Sequence, residues 1–158
     1  MKLYKQLAFA IGLTVASAYF ALAPARAHEF KVGSITVEHP WARQAPGSAQ
    51  VLGGYMKIVN AGSADDRLVK VTAPIAPEIQ LHEMKMEGSV MKMSELPNGI
   101  PVKAGQTVVL KPMDLHVMFM NVPEQPKAGA KFPATLTFEK AGSLSVEFEV
   151  KPPGSGME

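Results

Sequence analysis

The chain has 158 residues, with 16 Lys and Arg against 14 Asp and Glu, 47% hydrophobic residues and no cysteine. A near-neutral balance gives no reason to expect nucleic acid or an anionic membrane as a partner. The missing thiols exclude a disulfide scaffold, thiol redox chemistry, a blue-copper thiolate and a Cys-based zinc site.

Residues 1–27 read as a secretory signal peptide. Lys2 and Lys5 form a positive end, Leu7 to Ala23 is apolar and uncharged, and Ala25-Arg26-Ala27 is an A-x-A cleavage site. A run of about 17 residues is short for a bilayer span, so cleavage and a periplasmic location without membrane insertion are expected. No Arg-Arg pair marks folded export, and no Cys is present for lipid attachment. The remainder is an ordinary single-domain length, read here as a domain over 28–151 and a disordered tail over 152–158. Cleavage would leave His28 first, where an α-amine and an imidazole can chelate Cu(II). A frayed terminus is the simpler reading.

Val32 to His39 suggests a first strand, with Ile35 and Val37 on one face and Pro40 ending it. Trp41 reads as a core or loop-packing residue, His39 as structural or exposed, and Arg43 to Gln50 as a loop turning at Pro46-Gly47. Val51 to Val59 is the next strand, where Gly53-Gly54 permits a bulge or a close backbone approach and Met56 is core. Asp65-Asp66-Arg67 reads as a turn with a local ion pair rather than a catalytic carboxylate pair. A short strand over Arg67 to Val71 precedes Pro74 and Pro77, which forbid a helix.

Leu81 to Met93 then reads Leu-His-Glu-Met-Lys-Met-Glu-Gly-Ser-Val-Met-Lys-Met, and Leu115 to Met120 reads Leu-His-Val-Met-Phe-Met. Seven of the ten methionines (Met84, Met86, Met91, Met93, Met113, Met118, Met120) and two of the four histidines fall between His82 and Met120. Thioethers are soft and neutral and suit Cu(I), whereas Zn(II) prefers thiolate, imidazole or carboxylate and Mg(II) or Ca(II) oxygen. Only the two imidazoles would compete with protons. If Gln80 to Met86 and Val90 to Leu96 are strands, a two-residue type II′ loop at Gly88-Ser89 sets Met86 opposite Met91 and Met84 opposite Met93. His82 then lies diagonal to Met93. By the same period His116, Met118 and Met120 share a face, and Val117 and Phe119 supply a row for the core.

A single Met at strand spacing is usually packing. The polar residues between these methionines leave a face that is half thioether, where Leu or Val would pack better, and this favours a metal. Met84, Met86, Met91 and Met120 are read as a soft rim around the first ligands. Further strands are expected at Ile100 to Lys103, Thr107 to Lys111, Ala134 to Glu139 and Leu144 to Val150, giving roughly eight or nine and an all-β sandwich or barrel.

The spacing of His82, Met93, His116 and Met118 resembles the His-x(10)-Met-x(21 or 22)-His-x-Met signature of the periplasmic copper chaperone PCu(A)C family. Pro40-Trp41-Ala42-Arg43, Gly54-Tyr55-Met56, Asn60-Ala61-Gly62, Asp66-Arg67-Leu68, Leu110-Lys111-Pro112 and Leu136-Thr137-Phe138-Glu139 also look like family blocks. The resemblance implies a cupredoxin-like Greek-key fold and one Cu(I) held by His82, Met93, His116 and Met118. It implies copper supply towards the dinuclear centre of cytochrome oxidase, through an oxidase subunit or another copper chaperone. In one place the chain departs: the family commonly has Gly-Gly after Lys-Pro, and here Met113-Asp114 stiffens the loop before His116.

No Ser-His-Asp pattern, phosphate loop or catalytic carboxylate set is visible, so no enzyme is expected. A monomeric Cu(I) chaperone is the leading reading. A copper-sequestering tolerance protein is the alternative, and a metal-free adaptor with a methionine surface is a third.

Overall fold

The computed structural model of the protein describes residues 29–156. The expected leader, its cleavage site, His28 and Met157 fall outside these residues. The described chain forms eleven strands: β1 Glu29–Val32, β2 Ile35–Arg43, β3 Val51–Asn60, β4 Asp66–Thr72, β5 Glu78–Glu87, β6 Val90–Glu95, β7 Ile100–Val102, β8 Thr107–Leu110, β9 His116–Met120, β10 Lys131–Phe138 and β11 Gly142–Lys151. They run in the order β6-β5-β9-β3-β2-β11-β10-β4-β7, with β1 on β2 and β8 on β3. All pairings are antiparallel except β11 with β2, where the last strand returns beside an early one. The all-β expectation holds.

One face of this sheet carries the core, and alternation assigns its residues. Leu144, Val146, Phe148 and Val150 on β11, Val117 and Phe119 on β9, and Leu52, Met56 and Ile58 on β3 are all buried in one cluster. Gly54 lies beneath that layer: a Cβ there would stand 2.7 Å from Phe119 Cε2 and 3.1 Å from Phe148 Cε1, so only glycine lets the rings approach.

The first strand differs from expectation in two ways. Residues 29–32 already pair with β2 through a turn at Gly33-Ser34, and Pro40 does not end β2. The register shifts between Glu38 and Trp41, with His39 exposed at φ 49, so a bulge takes up a proline that cannot donate to the ladder. The extra residue inverts the alternation. Ile35 and Val37 face the core, and beyond the bulge Ala42 does, which turns Trp41 and Arg43 to the opposite face. Trp41 is buried, at 2% exposure, yet outside the main core cluster, packed on Tyr55 at 4.6 Å beneath Arg43 and Lys151.

Asp65 and Asp66 are turn builders. Asp66 accepts backbone N–H bonds from Arg67, Lys140 and Ala141, and Asp65 pairs with Lys103 at 2.9 Å rather than with Arg67. The tail expected to be disordered forms a turn as far as it is described: Ser155 N–H bonds to Pro152 O, and Arg43 donates to the Ser155 carbonyl.

Candidate metal centre

Three adjacent strands, β6, β5 and β9, build the site on the sheet face opposite the core. Gly88 takes φ 65 at the hairpin tip, and the observed partners are Met86 with Met91, Met84 with Met93 and His82 with Glu95. Met93 therefore lies diagonal to His82, as the two-residue loop requires. On the other side of β5, His82 pairs with His116 and Gln80 with Met118. Cross-strand partners share a face, so His82, Met84, Met93, His116 and Met118 come together. Met120 sits one rung away, opposite Glu78, and Met86 and Met91 one rung beyond Met84 and Met93.

The next strand continues the surface. Gly53 pairs with Met118 and with Arg43, which brings the Trp41, Tyr55 and Arg43 cluster alongside the methionines. Between them lies a cleft of about 480 Å³, with Met84, Met93, Met113, His116 and Met118 on one side and Arg43, Tyr55 and Pro153 on the other. The bare Cα of Gly53 keeps its floor open, because a Cβ there would fall 2.5 Å from the Tyr55 hydroxyl oxygen.

The two imidazoles are buried, His82 at 8% and His116 at 4% exposure, with ring centroids 5.6 Å apart and planes at 80°. A metal–nitrogen bond of about 2 Å puts a bound ring's centroid about 3 Å from the ion, so this separation fits two imidazoles on one metal. Each ring has one nitrogen committed. His116 Nδ1 donates to the Asp114 carbonyl at 2.8 Å, and His82 Nε2 donates to Gln80 Oε1 at 2.8 Å. These bonds fix the tautomers and leave His116 Nε2 and His82 Nδ1 with lone pairs. His82 Nδ1 is buried with no hydrogen-bond partner. An orphaned acceptor of this kind is costly unless something binds it, and a metal would.

Gln80 was not legible as part of the site, although its position two residues before His82 on the same face was the available signal. Its amide is itself oriented by donation to Glu78 Oε1 at 2.9 Å. Gln80→Leu should free the His82 ring and weaken Cu(I) binding by about 10- to 100-fold, the usual effect of losing such a partner. Competition against a Cu(I) chelator would measure it, and an affinity equal to wild type would remove Gln80 from the site.

Burial pushes the His82 pKa below its ordinary 6.5, with His116 adding to the fall and Glu95 opposing it. The ring is then neutral and ready for metal at neutral pH. In the metal-free protein the unfolded chain takes up this proton first as pH falls. The stability involved is complete above about 6.5 and is lost as pH drops through the lower folded value. The metal-free melting temperature should fall on acidification through this window, and His82→Leu should flatten the fall. An unaltered slope in the variant would show that His82 is not the group responsible.

Among the described residues no group of three His, Cys, Asp or Glu side chains is placed to hold a metal, so the converging donors are thioethers and imidazoles. Tyr55 keeps its proton, its pKa raised by burial against the lowering effect of Arg43.

Comparison with known proteins gives concordant results. The family profile described as "Putative lipoprotein LpqE-like" matches residues 35–150. A curated protein of Leifsonia xyli, "Putative lipoprotein Lxx21020", is 28% identical over 144 residues, 91% of this chain and 85% of its own. Among solved structures, the copper-bound PCuAC domain from PmoF2 is 28% identical at a TM-score of 0.69, covering 80% of this chain and 99% of that domain. Cu(I)-bound DR1885 from Deinococcus radiodurans is 25% identical at a TM-score of 0.59, covering 80% and 83%. The fold is the cupredoxin-like one of these neighbours.

Proposed function

The chain belongs to the LpqE-like family, which is the family of the PCuAC domains, and from that premise we propose that it is a periplasmic Cu(I) metallochaperone, not an enzyme. Copper binding by two solved neighbours supports the coarse reading. The finer one is carried by a single observation: two buried imidazoles, each with one nitrogen tied down, stand side by side, His116 on the wall of the thioether-lined cleft and His82 next to it with its free nitrogen unpartnered.

In this reading His82, Met93, His116 and Met118 hold one Cu(I). The thioethers supply soft, uncharged donors that disfavour Zn(II) and oxygen-loving cations, and the imidazoles set the acid limit of binding. Met84, opposite Met93, and Met86, Met91 and Met120 form a softer surround. Arg43, on the far wall, adds a positive charge near a site whose ligands are all neutral, which limits how tightly a cation is held and favours its release. Exposure favours delivery over sequestration: Met93 is 47% and Met86 58% exposed, so an incoming ligand can reach the ion without unfolding the domain. The recipient of this proposal is a copper-accepting oxidase subunit or another copper chaperone, met by a monomer. A second, Cu(II) site at His28 requires cleavage after Ala27, and His28 lies outside the described residues. The lipoprotein description belongs to the relatives; this sequence has no Cys to carry a lipid.

The test is copper stoichiometry and X-ray absorption on leader-free protein under reducing conditions, followed by transfer to a soluble copper-accepting oxidase domain. One Cu(I) per chain with mixed nitrogen and sulfur neighbours, passed on faster than it dissociates into buffered chelator, is expected. No copper, or copper with only oxygen and nitrogen neighbours, would overturn the ligand set. Release no faster to the oxidase domain than to chelator would favour sequestration.

A further inference from the structure

The Lys111 to Leu115 turn presents a residue that neither packing nor backbone preference accounts for. Met113 has φ 67, the left-handed region that a side chain enters only against a steric cost and that glycine occupies freely. It is also 62% exposed, an apolar side chain held in water. The conformation is enforced from both sides: Lys111 N–H bonds to Leu115 O at 2.9 Å, Asp114 N–H to Lys111 O at 3.2 Å, and Asp114 Oδ1 accepts Leu115 N–H at 2.9 Å. The next carbonyl, that of Asp114, receives both the His116 ring and the Met84 backbone N–H. The turn that strains Met113 is thus the turn that orients His116. The result is a thioether on the rim of the cleft that also contains Met84, Met93, His116 and Met118.

Strained conformations that the surrounding structure enforces cluster at functional sites. We propose that Met113 is the entry and exit ligand for Cu(I), the thioether that takes the ion from an incoming donor and holds it while the buried ligands engage or let go. The step is a ligand exchange. A Cu–S bond to Met113 forms as a bond to the donor or to one of the four resting ligands breaks, and neither an electron nor a proton moves, because a thioether has none to lose. This extends the Cu(I) reading above and rests on it.

Met113→Gly and Met113→Leu separate the possibilities. Glycine accepts the turn's φ without strain, so that variant keeps its fold, and leucine keeps apolar bulk while removing the sulfur. Loading from, and release to, the Cu(I) chelator bicinchoninate would be followed by stopped flow, with equilibrium stoichiometry measured beside it. Both rates should fall about tenfold in both variants, at the low end of what groups beyond the resting ligands contribute at metal sites, while their ratio changes far less. Wild-type rates in Met113→Gly would overturn the inference. Wild-type rates in Met113→Leu with slow ones in Met113→Gly would overturn it too, by making Met113 an apolar cover. If the wild-type protein itself binds no Cu(I), the proposed function fails and takes this inference with it, so the two failures are distinguishable.

Discussion

His116→Ala should lose Cu(I) binding while keeping its fold. The ring is buried and lies on β9, between the His82 strand β5 and β3. It stands beside His82 in the pairing register and carries the one nitrogen in the cleft whose tautomer is set by the backbone. Partners that merely orient a ligand are worth about 10- to 100-fold in metal affinity, so if His116 is a ligand, as proposed, its removal should exceed about 100-fold. Alanine leaves a gap that opens on the cleft, not into the core, so the melting temperature of the metal-free protein should move by only a few degrees. Met118→Leu is the informative companion. It keeps the volume and removes one soft donor, and should weaken Cu(I) binding less than His116→Ala. Competition titration under reducing conditions measures both. Copper retained at wild-type affinity in His116→Ala would show that the cleft is not the site.

The pairing of the strands that carry the proposed ligands was more legible in the sequence than the strands across the cleft from them. A two-residue hairpin loop with glycine first leaves one register, and that register fixes which methionines face each other, so the β5–β6 pairing could be read from Gly88-Ser89 alone. Alternation likewise placed His116, Met118 and Met120 on one side of β9 and Val117 and Phe119 on the other. The face opposite the ligands across the cleft was not legible. Trp41 is odd-numbered like Ile35 and Val37, and alternation sends it to the core unless a bulge intervenes. Pro40 signals an interruption, and a proline that ends a strand looks the same in sequence as one that a bulge absorbs. Nor does any local pattern tell that Arg43 reaches the Ser155 carbonyl, more than a hundred residues away in sequence, and brings the tail to the cleft wall. Such contacts depend on the parallel pairing of β11 with β2, a long-range event without a turn to announce it.

The same two-faced logic predicts that Phe119→Ala should do the reverse of His116→Ala. Phe119 is fully buried and meets Phe132 at 5.4 Å and Phe148 at 5.6 Å, both edge-on, while those two stack on each other. Truncation removes two edge-to-face contacts and leaves a cavity, and such changes cost about 3–5 kcal/mol. For a domain of this size the loss lowers the melting temperature by roughly 10–20 °C. The copper response should nevertheless survive. Met118 and His116 point away from the cavity, and β9 remains held by its ladders to β5 and β3, so their register does not depend on the ring. Copper at a hundred times its dissociation constant raises the stability of any folded domain that binds it by about 2.7 kcal/mol, and the increment should match in wild type and Phe119→Ala. Calorimetry with and without Cu(I) tests this. If Phe119→Ala instead lost its copper increment at temperatures where its circular dichroism is native, the core face would be shaping the ligands directly, and the separation of stability from binding across β9 would not stand.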